Sequence, residues 1–127
     1  STAGIIAQRL LRRLCPNCKR QRPLQEHEAD YLGLSAKERA QQMIFEPVGC
    51  QRCNGTGYYG RIGVYEILPV TNRIRRLVSK NVSADEIQDA ALEEGMSTLR
   101  MSATRLVLDG VTSVEEMLRV SYSNEDA

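Results

Sequence analysis

At 127 residues the chain has the length of one domain, or of one domain with a small satellite, and it falls short of most complete nucleotide-driven machines. Hydrophobic residues at 42% and charged residues at 26% are globular averages, and no apolar run approaches the roughly 18 to 20 residues that cross a bilayer, so direct membrane insertion is not expected. The net charge of +1 hides two opposed halves: residues 1–80 carry 14 Lys/Arg against 6 Asp/Glu, whereas residues 82–127 carry 3 against 10, a split that suits phosphate, a neighbouring copy, or a solvated basic face.

The chain opens Ser1-Thr2-Ala3-Gly4 without an initiator Met or a charged-then-apolar leader, so the expectation is no signal peptide and an excised fragment. Ile5, Ile6, Leu10, Leu11 and Leu14, with Arg9, Arg12 and Arg13 between them, predict a helix running into a first cysteine turn, Cys15-Pro-Asn-Cys18. Pro23 to Leu32 and Ser35 to Met43 read as two short polar helices parted by Gly33, with His27 on the surface of the first. The second cysteine turn, Cys50-Gln-Arg-Cys53, runs into Asn54-Gly-Thr-Gly-Tyr-Tyr-Gly60, a tight loop. Ile62, Val64, Tyr65, Ile67, Leu68 and Val70 then predict a strand over 61–70, with Pro69 at its edge or end. Four helices follow, with Thr71, Ser83, Ser97 and a Thr112–Glu115 capping box as start signals, and Gly95 and Gly110 as stops. Met96, Met101 and Met117 read as aliphatic filler, and 121–127 as a flexible tail. The fold class expected is α+β: a tetracysteine subdomain with short helices and a β-strand, followed by a small C-terminal four-helix domain.

The paired C-x-x-C turns, 31 residues apart, are the strongest chemical signal. Each such turn can aim two sulfurs at one centre while backbone N–H groups disperse their charge, and two turns make the four soft ligands of a tetrahedral zinc site. Cys15, Cys18, Cys50 and Cys53 are therefore the candidate metal ligands, and Zn²⁺ the candidate ion, structural because no coordination position stays open. Two disulfides or a redox pair are the competing readings; the first needs a secreted chain, and the second does not come as a matched pair so far apart. The reduced tetrathiolate reading places the chain in the cytoplasm and leaves the sequons at Asn54 and Asn81 without meaning.

No residue here is placed for catalysis: there is no Walker A, no histidine in a triad setting and no isolated carboxylate pair. The fragment alone is not expected to be an enzyme. A stand-alone zinc domain binding nucleic acid or a protein partner is the alternative, but the acidic helical half opposes phosphate. Cys50-Gln-Arg-Cys53-Asn-Gly-Thr-Gly57 also matches one repeat of DnaJ-type zinc domains, which use four, whereas the first turn lacks the glycines.

Five motifs in series carry a more specific likeness: Ala7-Gln-Arg-Leu10; Arg13-Leu-Cys-Pro-Asn-Cys18; Val48-Gly-Cys-Gln-Arg-Cys53-Asn-Gly-Thr-Gly-Tyr58; Gly60-Arg-Ile-Gly-Val-Tyr-Glu66; and Asp109-Gly-Val-Thr-Ser-Val-Glu-Glu116 with Leu118-Arg-Val120. In this order they resemble the C-terminal part of the secretion ATPases of type II secretion and type IV pilus assembly, the GspE/PilB family. The resemblance implies a cytoplasmic homohexamer, peripheral at the inner membrane, whose ATP and Mg²⁺ are bound by parts of the full-length parent upstream of Ser1. It implies that 1–14 end a RecA-like ATPase core, 15–60 form the tetracysteine zinc-binding subdomain, 61–70 return a strand to the core, and 71–120 form a helical domain. Neighbouring subunits and the inner-membrane platform and cytoplasmic-domain proteins of the machine are the implied partners, with no nucleic acid.

Overall fold

The computed structural model describes the backbone of residues 2–126 and the side chains of residues 3–120. Strand β1 (Thr2–Leu14) pairs antiparallel with the strand Tyr58–Val70, β4, in a long two-stranded ribbon. Between them lies an insert in which β2 (Arg20–Pro23) and β3 (Met43–Glu46) pair antiparallel and enclose two short helices, α1 (Glu26–Tyr31) and α2 (Ala36–Gln41). Helices α3 (Asn72–Ser79), α4 (Ala84–Glu93), α5 (Leu99–Leu108) and α6 (Val114–Asp126) follow the ribbon. The fold is mixed α+β, with short helices and small sheets.

The ribbon corrects the first sequence expectation. Residues 5–14 are a strand and not a helix, because Leu11 faces Ile62 and Arg9 faces Val64 across the ladder, and Leu11 and Val64 are buried in the core. The leucines of this segment also satisfy helical spacing; cross-strand burial against a partner some fifty residues away decides between the two. The small β2–β3 sheet is a second departure: the helix expected to reach Met43 stops at Gln41, and Met43 already belongs to β3. The strand after the glycine loop also starts earlier than 61, at Tyr58.

The helix starts follow local chemistry. Thr71 accepts from the Ile74 N–H and Ser83 from the Glu86 N–H, as their positions predict. The α5 cap is Thr98, one residue past Ser97, and the α6 cap is displaced likewise: Ser113 Oγ accepts from the Glu116 N–H, so the box at Thr112–Glu115 is not used. Helix α6 continues past Val120 to Asp126; the side chains of 121–127, the stretch expected as a flexible tail, lie outside the described residues.

Two apolar clusters hold the chain together. The larger joins Leu11 and Val64 of the ribbon, Leu32, Leu34 and Ile44 of the insert, and Leu99, Ala103, Val107, Val114, Met117 and Val120 of α5 and α6. The smaller joins Ile74 of α3, Ala90 and Ala91 of α4, and Met96. The four C-terminal helices thus divide between two clusters and do not share one bundle core. Met96 and Met117 are buried filler as expected, whereas Met101 is exposed. His27 lies on the surface of α1.

Candidate metal centre

The two cysteine turns meet where the ribbon ends. Cys15 follows β1 directly and its N–H donates to the Gly57 carbonyl, which ties the first turn to the second at 2.9 Å. All four Sγ atoms, of Cys15, Cys18, Cys50 and Cys53, lie within 4.8 Å of one another, and the four residues are buried or half-buried. Sγ separations are 3.8 Å for Cys15–Cys50, 3.8 Å for Cys18–Cys53 and 3.7 Å for Cys50–Cys53. A tetrahedron with metal–sulfur bonds of about 2.3 Å has sulfur–sulfur edges of about 3.8 Å, whereas a disulfide requires about 2.05 Å. Donor set and spacing therefore fit one tetrahedral thiophilic ion, and no disulfide joins the four cysteines.

The shell around the sulfurs is built for anionic ligands. Gly49 N–H donates to Cys18 Sγ at 3.3 Å, Cys50 and Gly57 N–H both donate to Cys53 Sγ at 3.2 Å, and the Asn17 side-chain amide donates to Cys50 Sγ at 3.3 Å. Gly57 can make this approach because it has φ +83° and no side chain; a Cβ there would lie 2.5 Å from Pro47 Cβ. Burial tends to raise the Cys53 thiol, but these N–H donors outweigh it and bring it down to about 6. Cys50 is lowered, first by the Asn17 amide, while burial pushes Cys18 up to about 11.

The centre is bolted to the α5–α6 turn. Lys19, next to Cys18, donates to the Gly110 carbonyl at 2.9 Å and stands 4.7 Å over the Phe45 ring. The ring in turn packs on Gly110, where an added Cβ would be 2.7 Å from it. Leu14 N–H donates to the Val111 carbonyl, Thr112 Oγ1 donates to the Arg12 carbonyl, and the Tyr58 hydroxyl shares a hydrogen bond with Ser113. Of the other cations close to the cysteines in sequence, Arg20 pairs with Glu46 and Arg52 stacks over Tyr59.

Two buried carboxylates went unforeseen. Glu116 accepts from the backbone N–H of Arg12 and pairs with the guanidinium groups of Arg12 and Arg119, so α6 is clamped to β1. The signal for it was present, since Ser113-Val-Glu-Glu116 is as good a capping box as the one chosen. Glu28, the third residue of α1, accepts from the Gln25 N–H and takes a bidentate pair from Arg22 at 2.7 and 2.6 Å, which locks the insert helix onto β2.

Mixed topology and a tetracysteine cluster alone are compatible with many proteins; comparison with known sequences narrows them. The chain belongs to the type II/IV secretion system protein family, whose profile matches residues 1–119. It is 38% identical over 117 residues to the type IV pilus assembly ATPase TfpB of Acinetobacter baylyi, covering 92% of this chain and 20% of that one. It is 40% identical over 117 residues to the type IV pilus assembly ATPase PilB of Myxococcus xanthus, covering 90% and 20%. With the type II secretion system protein E of Aeromonas hydrophila the identity is 35% over 121 residues, covering 95% and 24%. The chain thus spans between a fifth and a quarter of the length of these relatives. Among the described residues no helix is long and apolar enough to cross a membrane.

Proposed function

We propose that the chain is the zinc-holding C-terminal module of a hexameric ATPase that powers type II secretion or type IV pilus extension. Its task in this reading is structural: it presents surfaces to neighbouring subunits and to the inner-membrane platform and cytoplasmic-domain proteins, while ATP and Mg²⁺ are handled elsewhere in the parent. The observation that carries the reading is the set of four sulfurs at tetrahedral spacing within a chain of the secretion family. Cys15, Cys18, Cys50 and Cys53 are the ligands, and the ion supplies cross-linking, not chemistry. In this scheme residues 1–14 end the RecA-like core, 15–60 are the metal subdomain, 61–70 return to the core and 71–120 are the helical part. The parent works in the cytoplasm, peripheral at the inner membrane.

The network between the cysteine turns and the α5–α6 turn supports a mechanical role, because displacement of the metal centre moves Gly110 and Ser113 with it. The experiment is Cys15→Ser with Cys50→Ser in the full-length protein. Pilus extension or secretion is expected to fail while ATP binding persists; undiminished transport from a metal-free variant overturns the reading.

A further inference from the structure

Between the insert and α6 lies an open cleft of about 670 Å³, within the range of about 300–1,000 Å³ typical of ligand sites. The insert contributes Arg22 of β2, Glu46 of β3, and Glu28 and Tyr31 of α1; no cysteine lines the space. Helix α6 closes the other side with Val114, Glu115 and Leu118. Three carboxylates against one guanidinium make a balance of −2 with His27 neutral. Arg20, which pairs with Glu46 but does not line the cleft, brings it to −1.

Arg22 is already engaged twice over: Glu28 takes it as a bidentate pair, and Glu46 Oε2 lies 3.2 Å from its Nε. Glu115 is exposed and forms no ion pair among the described residues. Arg22 is held above the usual guanidinium value first by its hydrogen bond to Glu28 and least by Glu115, so the Glu115 carboxylate is within electrostatic reach of Arg22 but does not close on it. Tyr31 adds an unpaired acceptor: its hydroxyl is buried without a hydrogen-bond partner, while Arg100 stacks on its ring at 4.5 Å. A buried hydroxyl left so is costly, and a donor entering beside it removes the cost. Buried Val114 and half-buried Leu118 supply an apolar wall. An acidic ligand is repelled here, and an apolar one would cover the carboxylates without pairing them. A long cationic side chain suits both features, because it lays its methylenes on apolar surface and carries its charge to a carboxylate.

We propose that this cleft binds an arginine- or lysine-bearing segment of a partner protein, its cation at Glu115 and its aliphatic stem against Leu118 and the Tyr31 ring. The assignment rests on the reading that the module meets inner-membrane proteins, whose cytoplasmic loops carry an excess of Lys and Arg, and it names the chemistry of that contact. A cation held there bridges α6 to the insert, because Glu115 stands on one wall and the Arg22–Glu28 pair on the other.

The probe is a short capped peptide with a single arginine between leucines, set against the same peptide carrying citrulline, the neutral isostere, at that place. Titrated into the isotope-labelled, metal-loaded chain, the arginine peptide is expected to shift the amide signals of residues 22–31 and 114–118. It should bind at least about tenfold more tightly than the citrulline peptide, and less so at high salt. Glu115→Gln, a change at an exposed side chain, is expected to erase that preference while helicity and metal content stay unchanged. Tyr31→Phe is expected to weaken the arginine peptide several-fold. Equal binding of the two peptides, a preference that survives Glu115→Gln, signals that move elsewhere, or no binding into the millimolar range overturns the site. In the full-length protein Glu115→Arg is expected to impair transport, and undiminished transport overturns the partner assignment. The paired cysteine variant tests the underlying reading separately, so the failure of one is distinguishable from the failure of the other.

Discussion

Arg12 and Glu116, 104 positions apart in sequence, are joined through both backbone and side chain: the Arg12 N–H donates to Glu116 Oε1 at 2.7 Å, and its guanidinium reaches Oε2 at 3.0 Å. Glu116 is 1% exposed, so its charge is retained only because Arg12 and Arg119 are there to meet it. Glu116→Gln keeps the shape but loses both ion pairs and turns an amide NH₂ toward a guanidinium. The expected cost is on the order of 2 kcal/mol, several degrees in Tm, read by thermal unfolding. Arg119→Ala is expected to cost less, since Arg12 remains.

Acid should expose the same carboxylate. Burial alone raises Glu116, but Arg119, the Arg12 N–H and the Arg12 guanidinium outweigh it and hold it at about 2, below the ordinary 4.5. A depressed folded value means that its stabilisation is fully present above the unfolded value and fades as pH falls through the folded one. Glu28 is lowered in the same direction, first by its hydrogen bonds from Arg22. Denaturant melts between about pH 5 and about pH 2 should therefore lose on the order of 2 kcal/mol through Glu116, and Glu116→Gln should flatten that part of the curve. Protons also compete for the cysteine sulfurs in this range, so the difference between wild type and variant isolates the carboxylate.

Gly110→Ala is expected to be more damaging than a surface Gly→Ala change. Gly110 ends α5 with φ +76°, a conformation L-residues avoid, and an added methyl would sit 2.7 Å from the Phe45 ring. Strain and overpacking together should cost about 2–3 kcal/mol. Phe45→Ala with Gly110→Ala should recover part of the overpacking share, and a strictly additive double variant would show that the ring and the glycine are not coupled.

What the sequence disclosed, and what it hid, separates by distance along the chain. The cysteine quartet, the caps at Thr71 and Ser83 and the glycine stops are short-range chemistry, and they were legible at once. Strand β1 was not, because leucines and isoleucines among arginines suit either a helix or a strand, and the choice is made by Ile62 and Val64 far downstream. The β2–β3 pair consists of two four-residue strands flanking helices, too short for alternation to register. At the candidate site the four cysteines were legible, but their mounting on Gly110, Val111 and Ser113 was not, since it depends on a turn more than fifty residues away from the second cysteine pair.

That mounting changes what metal removal should do. A chelator strong enough to strip the centre is expected to speed amide exchange in residues 15–20, in 43–58 and in 109–113 together, because Lys19, Phe45 and Tyr58 link them. Residues 72–96, held by the Ile74, Ala90, Ala91 and Met96 cluster, should keep their protection. Cys50→Ser should reproduce the pattern. Exchange that rises uniformly across the chain would show one cooperative unit in place of two.

The account rests most directly on an ion at the four sulfurs, and elemental analysis of the purified chain decides it. Protein prepared without chelators and with all four thiols reduced is predicted to carry about one zinc per chain, lost on Cys15→Ser or Cys53→Ser. Less than about 0.2 zinc per chain under those conditions, with no other thiophilic metal in its place, would contradict it.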